Sequence, residues 1–440
     1  VSGVGEEGFL GQVQQMVRKA QASKSRAQAT ADRAARWLTA IALGSGALTL
    51  AAWWAFTGRD FAFSLERTVT MMITTCPHAL GLAVPLVVAV STAIAAKHGL
   101  LVRNRTAFER ARKADTVLFD KTGTLTEGAF AVSGVVVFGD AGEDEVLRLA
   151  ASVEAGSEHP LGKAIMAAAE ERGLDVPTAE GFSALPGKGA EASVDGQRVR
   201  VLSGRAMDED EAGPSYPEQD VREYAEGGSS LVFVVQGDAA LGAVALDDQV
   251  REASREAVQR LKDAGLRVLM ATGDAEAVAR RVADELDLDG YKAEVRPEEK
   301  EAHVRELQDG GATVVMTGDG VNDAPALAAA DVGVAVGAGT DVARETADVV
   351  LVRSDPRDIA DMLALSRAVH GKTIQNLFWA TGYNVVAIPL AAGVLAWAGV
   401  LLSPAVGAVI MSLSTVIVAV NAKLLSYPQE AERGGEAAGA

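Results

Sequence analysis

Three segments of the chain place aspartates in settings suited to phosphoryl chemistry. The run Thr116–Asp120 is short, apolar and β-branched, ends on a carboxylate, and leads at once into Lys121, Thr122 and Gly123. Two later segments repeat that design: residues 267–271 run into Thr272, Gly273 and Asp274, and residues 313–317 run into Gly318, Asp319, Gly320, Val321, Asn322 and Asp323. Open α/β sheets bind ligands at the carboxyl ends of their strands, so the three ends are expected to converge on one site. A phosphoryl group is densely negative, and passing it to a carboxylate requires a metal ion and cationic cover. Asp120 is the expected nucleophile, forming an acyl phosphate reactive enough to be discharged later. Asp120, Thr122, Asp319 and Asp323 are the candidate Mg2+ ligands, because that ion prefers a few carboxylates plus phosphate oxygens and waters. Thr272 and Gly273 would supply hydroxyl and backbone donors, and Lys300 the point charge. Lys121, Asp274 and Asn322 complete the expected catalytic set.

A second kind of chemistry centres on the chain's single cysteine. Cys76 stands in Thr-Thr-Cys-Pro-His at 74–78, inside a long apolar stretch. Pro77 has no N–H and its ring clashes with the carbonyl of Ile73, so a helix is expected to kink or unwind there. Cys76 and His78 do not face each other on a regular helix, yet an opened turn can aim both inward. A thiolate with an imidazole suits copper and its relatives and poorly suits Ca2+ or Na+. Tyr383, Asn384, Met411, Ser414 and Thr415 offer oxygen, amide or thioether groups in later apolar windows, where each also reads as helix-packing glue.

Positioning these groups takes unlike parts. The 440 residues predict two to four units, and a hydrophobic share of 49% beside 23% charged residues suggests membrane segments joined to acidic domains. A formal charge of −18 argues against a groove that neutralises nucleic-acid phosphates. Four windows, 37–56, 69–96, 377–397 and 404–422, are apolar and long enough to cross a bilayer. Basic residues before the first and after the second put both flanks on the cytoplasmic side, leaving short external loops at 57–67 and 398–403. Helical patterns at 250–264 and 275–286 alternate with the strands. The chain begins at Val1 with no signal segment, and reads as a fragment of something longer.

Taken in order, the Asp-Lys-Thr-Gly-Thr-Leu-Thr motif at 120–126, Thr-Gly-Asp at 272–274 and Gly-Asp-Gly-Val-Asn-Asp at 318–323 resemble the signature of the P-type ATPases. Cys-Pro-His at 76–78 resembles the membrane motif of a copper-exporting branch, and the segments around Tyr383, Asn384 and Met411 also resemble that branch. The resemblance implies a multi-domain membrane protein: four transmembrane helices, an α/β haloacid-dehalogenase-like phosphorylation domain at 101–127 plus 238–368, and an inserted α+β nucleotide-binding domain at 128–237. It further implies the end of an actuator domain and a lead-in helix at 1–36, membrane pairs at 37–100 and 369–425, and a disordered tail at 426–440. Glu154 and His159, in Ser-Glu-His-Pro context, would contact adenine, and Gly187 and Gly189 would admit the nucleotide. Read from the residues alone, His159 is a satisfied helix-start histidine. The implied activity is ATP-driven copper export through a phosphoaspartate, with ATP and Mg2+ as cofactors and a bacterial plasma membrane as the setting. Alternatives are a silver, zinc, cobalt or potassium pump, or a non-pumping metal- and nucleotide-binding remnant. The implied partners are the lipid bilayer, the copper ion and an absent amino-terminal part of the same pump with its Thr-Gly-Glu loop.

Overall fold

The computed structural model describes residues 26–157, 159–209, 214–319, 321–337 and 345–427. In chain order the membrane-proximal start comprises α1 (Arg26–Ala51), α2 (Phe61–Thr75) and α3 (His78–Lys97). Next come β1 (Leu100–Val102), α4 (Arg105–Ala111), β2 (Thr116–Asp120) and β3 (Thr126–Val137). The middle holds α5 (Glu143–Glu154), α6 (Pro160–Glu171), β4 (Glu180–Leu185), β5 (Gly189–Val194), β6 (Gln197–Ser203), α7 (Gly204–Glu209), α8 (Glu218–Glu226), β7 (Ser230–Gln236) and β8 (Ala239–Val250). Then follow α9 (Glu252–Asp263), β9 (Arg267–Ala271), α10 (Glu276–Glu285), β10 (Gly290–Lys292), α11 (Pro297–Asp309), β11 (Val314–Gly318), α12 (Ala324–Ala329), β12 (Val332–Val336) and β13 (Val349–Leu351). Last come α13 (Arg357–Thr381), α14 (Asn384–Ala392) and α15 (Pro404–Lys423).

The strands form two sheets. The first runs β1-β13-β12-β11-β2-β9-β10 and is parallel except where β1 meets β13. Its strands β2, β11 and β12 are buried along their whole length, which is why they read as continuous apolar runs. Val117, Phe119, Val315 and Val334 pack one face of it, and Leu118, Met316 and Ala335 the other. The second sheet, β3-β8-β7-β6-β5-β4, is antiparallel. Its core joins Val194, Val234 and Val244 to Leu147, Ile165 and their neighbours on α5 and α6. Because β8 pairs with both β3 and β7, residues 239–250 lie in the second, antiparallel sheet. Residues 239–246 of that strand are all apolar or glycine and lie past the expected boundary at 237.

Three helical stretches, Gln28–Phe56, Phe61–Lys97 and Pro404–Lys423, have the length and apolarity to cross a membrane. The expected window at 377–397 is not one helix. It is divided among the end of α13, α14 and a 3-10 turn at Ala396–Ala398, with Pro389 inside α14 and Gly393 ending it at a φ of 89°. The expected external loop at 57–67 is shorter, because Asp60 caps α2 by accepting from the Phe63 amide at 2.9 Å. Arg67 is therefore helical and buried, and it donates to the Leu402 carbonyl at 2.6 Å. Of the expected tail, Tyr427 is buried and its ring stacks on His98 at 3.7 Å. The expected actuator end and most of the lead-in helix fall at residues 1–25, outside the described residues, as does the tail beyond 427.

Candidate functional site

Register explains why one edge of the first sheet gathers the chemistry. Asp120 stands opposite Ala271 on β9, and Phe119 stands opposite Thr317 on β11. Parallel strands in this register end at one level, so Asp120, Thr272 and the segment Gly318–Asp319 emerge together. Gly123 takes a φ of 72°, and a Cβ there would lie 2.1 Å from Asp319 Oδ2. A Cβ on Gly318 would lie 2.5 Å from Asp323 Oδ2. These two glycines let carboxylates lie against the backbone.

Oxygens of Asp120, Asp319 and Asp323 come within 4.8 Å of one another. Lys300 reaches in from the first turns of α11, donating to Asp120 Oδ1 at 2.5 Å and to Asp323 Oδ1 at 2.7 Å. Burial first, and then the charge of Asp323, push Asp120 up to about 7, although Lys300 pulls the other way. Asp319 is also raised, chiefly by burial and by Asp323. Burial alone would lower Lys300, but Asp120 and Asp323 outweigh it and its pKa rises. Three carboxylates facing one ammonium leave excess negative charge in a buried space, and that donor set fits Mg2+.

The other expected residues spread around this centre. Lys121 turns away from the carboxylate cluster, 2.8 Å from Asp274 and 3.2 Å from Asp248. The buried Thr272 hydroxyl donates to Asp274 Oδ2 at 2.9 Å and accepts from the Asp274 amide at 3.1 Å. Thr122, Gly273 and Asn322 are exposed around the site. Asp248 and Arg251 were missed by the sequence reading. Asp248 accepts from Thr126 Oγ1 at 2.5 Å and from the Gly128 amide at 3.0 Å, while Arg251 donates to the Thr126 carbonyl at 2.8 Å. Together they clamp the turn after Asp120. The acidic pair at 247–248 closing an apolar strand was the available signal.

On the inserted sheet, Glu154 ends α5 and is buried against Gly162, whose Cβ would meet Glu154 Oε2 at 2.3 Å. Burial raises its pKa, opposed by a hydrogen bond from Ser157 and by His159. His159 caps α6, its Nδ1 accepting from the Leu161 amide at 3.2 Å, so the helix-start reading holds and the ring remains exposed. Gly187 and Gly189 flank the β4–β5 turn with φ of 73° and 137°. A Cβ on Gly189 would lie 1.9 Å from the Val201 carbonyl. Phe182 on β4 lies against Gly156, bringing that hairpin beside the α5–α6 loop.

In the membrane part the helix breaks as expected: α2 ends at Thr75, Cys76 is its cap with ψ 121°, and α3 starts at His78. Cys76 and His78 are both exposed. The Tyr383 hydroxyl donates to the Thr74 carbonyl at 3.5 Å. Asn384 is buried with neither amide atom partnered among the described residues. Met411 offers its carbonyl to Ser414 at 2.9 Å and to Thr415 at 3.3 Å, and no contact joins its sulfur to Cys76 among the described residues. The sequence reading also missed a buried polar chain. Asn376 donates to the Ala83 carbonyl at 3.0 Å and accepts from Asn421 at 2.8 Å, and Asn421 in turn accepts from Lys372 at 3.2 Å.

The carboxyl ends of this mostly parallel sheet gather Asp120, Asp319, Asp323 and Lys300, and residues 114–331 match the family of haloacid dehalogenase-like hydrolases. The chain is 56% identical over 432 residues to the copper-exporting P-type ATPase B of Archaeoglobus fulgidus, covering 97% of this chain and 61% of that protein. It is 44% identical over 426 residues to the copper-exporting P-type ATPase B of Enterococcus hirae, covering 97% and 57%. The chain thus spans about six-tenths of the length of these curated relatives. A crystal structure of a zinc-transporting PIB-type ATPase in the E2·Pi state superposes with a TM-score of 0.79 at 32% identity, covering 96% of this chain and 68% of that one. The chain belongs to the PIB-type P-type ATPases.

Proposed function

We propose that this chain carries the phosphorylation, nucleotide-binding and carboxyl-terminal membrane parts of an ATP-driven copper exporter. The observation that carries the reading is the cluster of buried Asp120, Asp323 and Lys300 with half-buried Asp319 at one sheet edge. Lys300 occupies Asp120 Oδ1, and no hydrogen bond holds Oδ2 among the described residues, so Oδ2 is the oxygen that attacks the γ-phosphorus of ATP. A bond forms between Oδ2 and phosphorus, the bond from phosphorus to the β–γ bridging oxygen breaks, and ADP leaves. Bound Mg2+, held by Asp120, Asp319 and Asp323 with Thr122 beside them, would neutralise charge on the phosphoryl oxygens. Thr272, Gly273 and Asn322 line the approach, while Lys121, Asp248 and Asp274 hold the turn after the nucleophile. Glu154, His159, Gly187 and Gly189 form the adenine end. Residues 128–250 act as the nucleotide-binding domain, and the rest of 101–368 as the phosphorylation domain.

Copper as cargo is supported by the names of the A. fulgidus and E. hirae relatives and by soft ligands at the helix break. Cys76 and His78 are the first ligands in this reading, with Tyr383, Asn384, Met411 and Ser414 around them. The amino-terminal part of the same pump is the partner that covers the exposed Cys76 and His78. A zinc pump is the second reading, favoured by the structural likeness to a zinc transporter. Acid-stable labelling from γ-labelled ATP tests both. Asp120→Asn should abolish it, and stimulation ion by ion should rank copper(I) and silver(I) above zinc. Undiminished labelling in Asp120→Asn would refute the nucleophile, and stimulation by zinc alone would refute the cargo.

A further inference from the structure

Away from the phosphorylation edge, a cavity of about 570 Å³ opens where α1, α3, α4 and α13 meet. Its cytoplasmic end is lined by Arg112, Lys113 and His370, and its other end by Leu80, Ile374 and Leu377. The carboxylates at the charged end are already committed: Glu109 pairs with Arg105 at 3.3 Å, and Asp331 with Arg110 at 3.2 Å. Arg112 and Lys113 have no carboxylate partner among the described residues. His370, Ile374 and Leu377 recur at helical spacing on one face of α13, so polarity falls along the groove over roughly 10 Å. The groove follows α1 and α13 toward the membrane, since Gln28–Phe56 is apolar and long enough to span it. We propose that this groove binds an anionic phospholipid, its phosphodiester between Arg112, Lys113 and His370 and one acyl chain along Leu80, Ile374 and Leu377.

Charge complementarity selects this occupant over a zwitterionic lipid, and the apolar lower half selects it over a free phosphate. Basic pockets between membrane helices on the cytoplasmic side are recurrent headgroup sites. The location gives the lipid a role: α4 leads into the strand that ends at Asp120, and α13 runs from the first sheet to the membrane part. A bound lipid braces that joint. The inference rests on the position of the helices and not on the cargo, and its readout is binding.

The test uses the full chain in nanodiscs, with lipid retention read by native mass spectrometry after exchange into detergent. Phosphatidylglycerol should be retained in preference to phosphatidylcholine, and millimolar inorganic phosphate should not displace it. With roughly fivefold per cation near a membrane surface, Arg112→Gln with Lys113→Gln should cut retention about 30-fold. Ile374→Trp, at an exposed position where folding tolerates it, should block the acyl end and lower retention even if the double variant misfolds. Equal retention of the two lipids by the unaltered chain would overturn the proposal. So would displacement by phosphate, which would mark a free-phosphate site, or retention by Ile374→Trp within twofold of the unaltered chain.

Discussion

Replacing Lys300 with glutamine removes the cation that donates to both Asp120 and Asp323, at 2.5 and 2.7 Å, and leaves their shape nearly intact. Breaking a buried pair by removing one partner typically costs about 3–5 kcal/mol, because an uncompensated charge stays behind. Here the carboxylates can escape part of that cost by taking up protons. Asp120 already stands at about 7 with Lys300 present, so its pKa should move higher in Lys300→Gln. The sign for stability follows from linkage. A carboxyl raised from 3.8 to about 7 binds more protons folded than unfolded, so it costs stability on the order of 4 kcal/mol, lost as pH climbs from about 4 to 7. In Lys300→Gln that loss should extend to higher pH. For catalysis, removal of one preorganised charge-stabilising donor typically costs about 10²–10³ in rate. Single-turnover formation of acid-stable phosphoenzyme, followed from pH 6 to 9 at saturating Mg2+ and ATP, should show that loss across the range, because Mg2+ bound at Asp120 would keep the carboxylate ionised. Thermal unfolding over the same range without Mg2+ should show the steeper alkaline destabilisation. Rates within twofold of the unaltered chain at pH 7 would refute the idea that Lys300 supplies charge stabilisation at Asp120.

Gly123→Ala puts a methyl group 2.1 Å from Asp319 Oδ2 at a φ of 72°, so phosphoenzyme yield should fall and the Mg2+ concentration for half-maximal labelling should rise at least tenfold. Isothermal titration with Mg2+ checks it independently of turnover. Glu154→Gln should weaken nucleotide binding with a smaller effect near pH 5 than at pH 8, because burial raises the Glu154 pKa and part of the group is already protonated in acid; fluorescence titration with an ATP analogue reads the ratio. Asn376→Leu deletes the amide that bonds the Ala83 carbonyl and Asn421, and should cost about 0.6–2 kcal/mol of stability in a bilayer or detergent, measured by urea or SDS unfolding. Cys76→Ser should leave metal-free labelling at Asp120 unchanged while abolishing stimulation by copper(I), because the two sites share no residue.

Much of the proposed phosphorylation site is legible in the sequence. Asp120, Thr272 and Asp319 each follow an apolar run of strand length, and a strand that stops at a carboxylate or a Thr-Gly turn is a local statement that needs no partner. The break at Cys76 was equally local, since Pro77 removes a donor from its own helix whatever surrounds it. The inserted sheet was harder to bound. β8 is an unbroken run of apolar residues and glycine up to Leu246 and then carries Asp247 and Asp248, so nothing in the run itself says which sheet receives it; pairing with β3 decided that. The division of residues 377–397 was visible as Gly382 and Pro389, but an apolar composition masked the interruption.

What the sequence by itself determined is the chemical character of each segment: a carboxylate at a strand end, further carboxylates in glycine-rich turns, a thiol and an imidazole at a broken helix. Only the tertiary structure decided which of these groups meet. Lys300 lies 180 residues from Asp120 yet bridges it to Asp323, Lys121 turns from its neighbour toward Asp248 and Asp274, and Asn384 is buried without a partner. The physical reason is one of range. Backbone rules for strands, turns and proline act over a few residues, whereas the partner of a buried charge is set by strand register across β9, β2 and β11, which no local pattern encodes.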